Sequence, residues 1–168
     1  MISVTKSVTP LHRREAQAYV AAVECGQNRG LAGVKLVGED GSTEEHFVPF
    51  AVTESSVGHA RRHSYAGLIA ALDRLRGMRR SRLLVMTDDQ LLVEEIERRC
   101  EPPRELYLQY VILGCKLNEL SRARVIAVPS DILEKLRAKT ASLAQAVYRG
   151  DSGSSRRELM PLPLAPAI

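Results

Sequence analysis

The apolar positions of this chain change period along its length, and each change marks a switch of element. From Gln17 to Cys25 the run QAYVAAVEC is apolar on both faces, the pattern of a strand covered on either side in the middle of a sheet. Gly26-Gln27-Asn28-Arg29-Gly30 is a turn cluster, and Leu31–Val37 a second strand. Gly38-Glu39-Asp40-Gly41-Ser42 is the next turn and His46–Val52 a third strand, so the first third predicts an antiparallel meander. Helical spacing then takes over between His59 and Met78, where Tyr65, Leu68, Ile69, Leu72 and Leu75 share one face and Gly77 closes the run. Arg82–Thr87 reads as a short apolar strand. Asp89 is placed to cap a helix from Gln90 to Arg99, with Leu92, Val93 and Ile96 inward, and Pro102-Pro103 breaks it. A helix from Glu105 to Leu120 sets Tyr110, Leu113, Leu117 and Leu120 in register. Arg124–Val128 is a fifth strand, ended by Pro129. Ser130-Asp131 starts a last helix, which runs through Leu133, Leu136, Thr140, Leu143 and Val147 to Arg149.

The order β-β-β-α-β-α-α-β-α predicts an α/β fold: a five-stranded mixed sheet, three antiparallel strands and then two parallel ones reached through helical crossovers, flanked by helices. The domain is expected to span residues 17–149. Residues 1–16, with Pro10 and His12-Arg13-Arg14, form a lead-in, and 150–168, carrying Pro161, Pro163 and Pro166, a flexible tail.

Composition narrows the classes. With 168 residues, 45% hydrophobic and 26% charged, the chain suits one globular domain and excludes wholesale disorder. No run approaches the roughly 20 apolar residues of a bilayer span, and Met1–Lys6 lacks the apolar core of a signal peptide, so the expected location is cytoplasmic, away from membranes. Three cysteines without a CxxC pair argue against a disulfide framework or a zinc site. His59 and His63 stand at i, i+4 spacing with no third ligand, which suits surface or phosphate-facing histidines better than a metal pair. The net charge of +4 is unevenly placed: Arg61, Arg62, Arg74, Arg76, Arg79, Arg80 and Arg82 crowd one stretch. Clustered arginine suits phosphate binding and equally a solvated helix face. At 4% aromatic residues and no tryptophan, a base-stacking platform is poorly supplied.

Four strings on the right elements make the chain similar to the type 1 ribonuclease H family. AYVAAVECGQNRGLAG holds Asn28, Gly30 and Gly33 at the offsets of that family's first turn, and Ser64-Tyr65-Ala66-Gly67-Leu68 echoes its first helix. Thr87-Asp88-Asp89-Gln90-Leu91 matches the end of its fourth strand, and Val128-Pro129 ahead of Ala141-Ser142-Leu143-Ala144 matches its last helix. The resemblance implies cleavage of the RNA strand of an RNA–DNA hybrid by two magnesium ions held on four carboxylates. Carried over residue by residue, those positions fall on Ala22, Ser64, Asp88 and Ala141, so one carboxylate remains. Two divalent ions close together repel strongly and need several negative charges nearby. The expectation is therefore a catalytically degenerate domain with no catalytic residues and no cofactor, Asp88 being the one metal candidate.

As a binding or scaffolding module it would hold nucleic acid, an RNA–DNA hybrid or duplex, through Arg29, Arg61, Arg62, Arg79 and Arg80. Two alternatives stay open. One is a homodimerising or docking module of a larger nucleic-acid enzyme, using the Glu105–Leu120 helix or a sheet edge. The other is an active nuclease using magnesium or manganese, with an acidic site rebuilt from Glu24, Asp88 and Asp131 or Glu134; as a strand residue, Glu24 shares a face with Ala22. The bland readings of these carboxylates are a solvated strand end and helix caps at Asp89 and Asp131. Cys25 reads as a buried small hydrophobe, and Tyr107 and Tyr110 as core or interface groups.

Overall fold

The computed structural model describes residues 15–78, 82–120 and 122–151. Arg79, Arg80, residues 1–14 of the lead-in and residues 152–168 of the Pro-rich tail lie outside the described residues, while Ala16 already belongs to the first strand and the last helix runs on to Asp151, one and two residues past the expected boundaries. Among the described residues five strands, β1 (Ala16–Glu24), β2 (Arg29–Val37), β3 (Thr43–Ala51), β4 (Leu83–Thr87) and β5 (Ala123–Ala127), form one sheet in the order β3-β2-β1-β4-β5. The meander is antiparallel, with Val20 opposite Val34 and Gly33 opposite Phe47. β4 pairs in parallel with β1, Tyr19 beside Met86, and β5 in parallel with β4. β1 is thus the central strand that its two-sided apolar pattern predicts.

Among the described residues four helices cover the sheet: α1 (Arg62–Arg76), α2 (Gln90–Ile96), α3 (Tyr107–Glu119) and α4 (Glu134–Asp151). The inward side chains of α1, Tyr65, Leu68, Leu72 and Leu75, meet Ala16, Ala18 and Val20 of β1, Val34 and Leu36 of β2, and Leu113 of α3 in the main core. α4 covers the opposite face, where Leu133 and Leu136 close over Ala21.

Three details depart from the pattern. α2 ends at Ile96, because Arg98 adopts a left-handed φ of 60° that no helix interior tolerates. Single 3-10 turns at Arg104–Leu106 and Ser130–Leu133 lead into α3 and α4, so Asp131 sits inside a turn whose N-terminus has no side-chain cap. The buried stripe of α4 runs Leu136, Thr140, Ala144, while Leu143 and Val147, expected inward, are exposed.

Two glycines set how closely the helices lie on the sheet. A Cβ on Gly33 would stand 2.0 Å from Thr140 Oγ1, and one on Gly67 would stand 2.4 Å from Ala22 Cβ. Neither approach leaves room for a side chain.

Candidate functional site

In an open sheet with parallel strands, ligands gather beyond the strands' carboxyl ends. Continuing the β1–β4 register from Tyr19 beside Met86 sets Asp88 level with Ala21, next to Ala22. Glu24 closes β1 and Asp131 follows β5 by four residues, so this end of the sheet carries the candidates together with the starts of α1 and α4.

The structure brings these groups to one end without assembling a metal centre. Ala22 is packed into an apolar cluster with Phe50 and Ala66, its methyl group against Gly67. Ser64 is half-buried near the start of α1. Ala141 lines a cavity of about 340 Å³ between the end of β1 and α4, together with Glu24, Cys25, Gln145, Tyr148 and Arg149. Asp88 forms an ion pair with Arg137 of α4, Nη1 to Oδ2 at 2.7 Å. Glu24 accepts from Arg62 Nε at 3.0 Å, with Nη2 of the same ion pair 2.9 Å away, while Arg62 Nη1 donates to the His59 carbonyl at 2.9 Å. Asp131 and Glu134 are exposed. Among the described residues no three His, Cys, Asp or Glu side chains converge in a way that could hold a metal ion. The donor set present, one guanidinium-bound aspartate beside two alanines and a serine, does not fit a pair of magnesium ions.

Arg61 is drawn inward. Its guanidinium is one-fifth exposed and donates to Glu95 Oε1 at 2.5 Å, to Glu95 Oε2 at 3.3 Å and to Asp89 Oδ1 at 3.3 Å. Tyr65, fully buried, donates its hydroxyl to Glu95. Asp89 in turn caps α2, accepting from the Leu92 N–H at 3.0 Å, as its position predicts. Burial works against the charge on Arg61, but the hydrogen bonds and fields of Glu95 and Asp89 outweigh it and raise its pKa. The same burial, helped by Glu95, pushes the Tyr65 phenol far above its ordinary range.

The buried carboxylate Glu95 escaped the sequence reading. Its signal was a charge three places after Leu92, on the apolar stripe of α2. Arg137, exposed by a little over a third, was also passed over, because a lone arginine on a helix carries no pattern of its own.

The remaining candidates are scattered. Arg29 is exposed at the start of β2 and makes no ion pair among the described residues. His59 accepts the Arg61 N–H at Nδ1, 3.1 Å away. Cys25 is half-buried on the cavity wall, and burial raises its pKa. Tyr107 is exposed, with its ring 6.1 Å from that of Tyr110, which packs on the core.

No protein-family model and no curated protein matches the chain in sequence. Solved structures do match in shape. Ribonuclease H1 of the halophilic archaeon Halobacterium salinarum superposes with a TM-score of 0.61 at 19% identity, over 81% of this chain and 99% of that one. The chain has the ribonuclease H fold. The N-terminal ribonuclease H domain of Rv2228c from Mycobacterium tuberculosis, solved as a fusion with maltose binding protein, gives 0.59 at 19% identity over 82% and 99% of the two chains. LC11 ribonuclease H1, solved with an RNA/DNA hybrid, gives 0.54 at 18% identity over 76% and 90%. On the ribonuclease H fold, the carboxyl end of β1 and β4 is where Ala22 and Asp88 stand.

Proposed function

We propose that this chain is a ribonuclease H-like module that has given up metal-dependent cleavage and binds the backbone of nucleic acid. One observation carries the reading: at the four positions expected to be acidic stand Ala22, Ser64, Ala141 and an Asp88 already neutralised by Arg137. A lone carboxylate held by a guanidinium lacks the negative field that two divalent ions need. The fold supports the binding half, since one ribonuclease of the same shape was solved on a hybrid and a foamy viral protease-reverse transcriptase on double-stranded DNA. Of the arginines singled out in the sequence, Arg29 is the described one that is exposed and makes no ion pair among the described residues. Arg61 and Arg62 are committed to carboxylates inside the chain, so reversing the charge of Arg61 would strand Glu95 and test folding instead.

The test is a titration with labelled RNA–DNA hybrid, with and without magnesium and manganese, read by gel shift and by product length. Intact substrate and a shift that weakens steeply with salt are expected, with Arg29→Glu weakening it further. Cleavage that disappears in Asp88→Asn would overturn the reading.

A second reading has its own observation. Tyr107, Leu108 and Val111 are exposed on α3, which is the placement of a surface that pairs two copies.

A further inference from the structure

Resting on the nucleic-acid reading above, we infer that Arg137, together with Arg62, does for charge at this edge what divalent cations would otherwise have to do, so that nucleic acid docks there without magnesium. A cluster of bare carboxylates repels a phosphate backbone until cations neutralise it. Here the carboxylates near the ends of β1 and β4, Glu24, Asp88 and Asp89, each carry a guanidinium from the same chain: Arg62 at 2.9 Å, Arg137 at 2.7 Å and Arg61 at 3.3 Å. The cations come from opposite faces of the sheet, Arg62 from the start of α1 and Arg137 from the first turns of α4. With Ala22 and Ala141 uncharged and Ser64 neutral, the ends of β1 and β4 are balanced by their own side chains, while Asp131 and Glu134, beyond β5, are exposed to solvent. Arg137 spends one amine on Asp88 and keeps further N–H donors in a group exposed by a little over a third, a fork that matches phosphate oxygens.

Charge balance of this kind has a signature distinct from mere phosphate contact. Deleting the Arg137 charge leaves Asp88 bare at the docking edge, a defect that either magnesium or removal of the Asp88 charge repairs. Hybrid affinity is therefore measured for the wild-type chain, Arg137→Gln, Asp88→Asn and the double variant, in EDTA and in magnesium at matched ionic strength. Wild-type affinity is expected to be the same in both. Arg137→Gln should lose about tenfold in EDTA, regain part of it with magnesium, and regain part of it when Asp88→Asn is added. Arg137→Lys, which keeps the charge, should bind in EDTA nearly as wild type, and matching urea midpoints establish that each variant is folded. Magnesium that tightens the wild-type complex would overturn the inference, as would an Arg137→Gln variant that binds like wild type. Either result leaves the nucleic-acid reading standing; a wild-type chain that binds no hybrid at low salt defeats both.

Discussion

Glu95 is a charge in the protein interior, and the structure shows what makes it tolerable. A buried carboxylate is costly unless hydrogen bonds and an opposite charge compensate it, and Glu95 has Tyr65 and Arg61 for both. The Tyr65 hydroxyl must stay protonated to donate, and its folded pKa is raised while the unfolded phenol titrates near 10. The native state therefore holds a proton that the unfolded chain releases. Its stabilising effect is complete below pH ~10 and fades above that, at up to about 1.4 kcal/mol per pH unit. Urea unfolding between neutral and strongly alkaline pH should show that falling limb, and Tyr65→Phe should flatten it while lowering stability at neutral pH by about 2 kcal/mol.

At the scale of elements, the last helix separates what a pattern can tell from what packing decides. Leu133, Leu136 and Thr140 were legible as an inward stripe, but Leu143 and Val147 were assigned to it and lie outside. The helix turns 3.6 residues at a time, so a stripe anchored by Leu136 and Thr140 passes to Ala144 and then to Tyr148. Two close contacts fix that phase: Thr140 over Gly33, and the Tyr148 hydroxyl donating to the Gly30 carbonyl at 3.1 Å. A small residue such as Ala144 gives no hydrophobic signal against a neighbouring leucine, which is why sequence favoured Leu143. Leu136→Ala should cost about 2–5 kcal/mol in urea unfolding, whereas Val147→Ser should change it by less than about 0.5 kcal/mol. Equal effects would restore the phase read from sequence. The strands and α1 were read correctly to within a few residues, because β1 is apolar on both sides and α1 keeps one stripe throughout.

The molecule as a whole was more legible in its architecture than in its chemistry. Element order and four short strings pointed to the sheet topology, and the uncharged side chains of Ala22, Ser64 and Ala141 are plain in the sequence. The ion pairs at this end, Arg137 with Asp88 and Arg62 with Glu24, join residues 49 and 38 positions apart and leave no local trace. Assembly is also a whole-molecule property. If α3 pairs two copies, sedimentation equilibrium will give a dimer that Val111→Glu dissociates; a monomer at all concentrations would remove that reading.

The outermost strands bear on how such copies could meet. β3 lines one margin of the sheet with Glu44, Glu45 and, near its end, Pro49, which has no N–H to offer an incoming strand. β5 forms the other margin and is only five residues long, with an exposed Arg124 near its start. Charge, proline and brevity are the devices by which sheets resist growing into fibrils by adding strands. Both margins of the described sheet are thus guarded against polymerising through the backbone, which leaves side chains such as those exposed on α3 to write any association between copies.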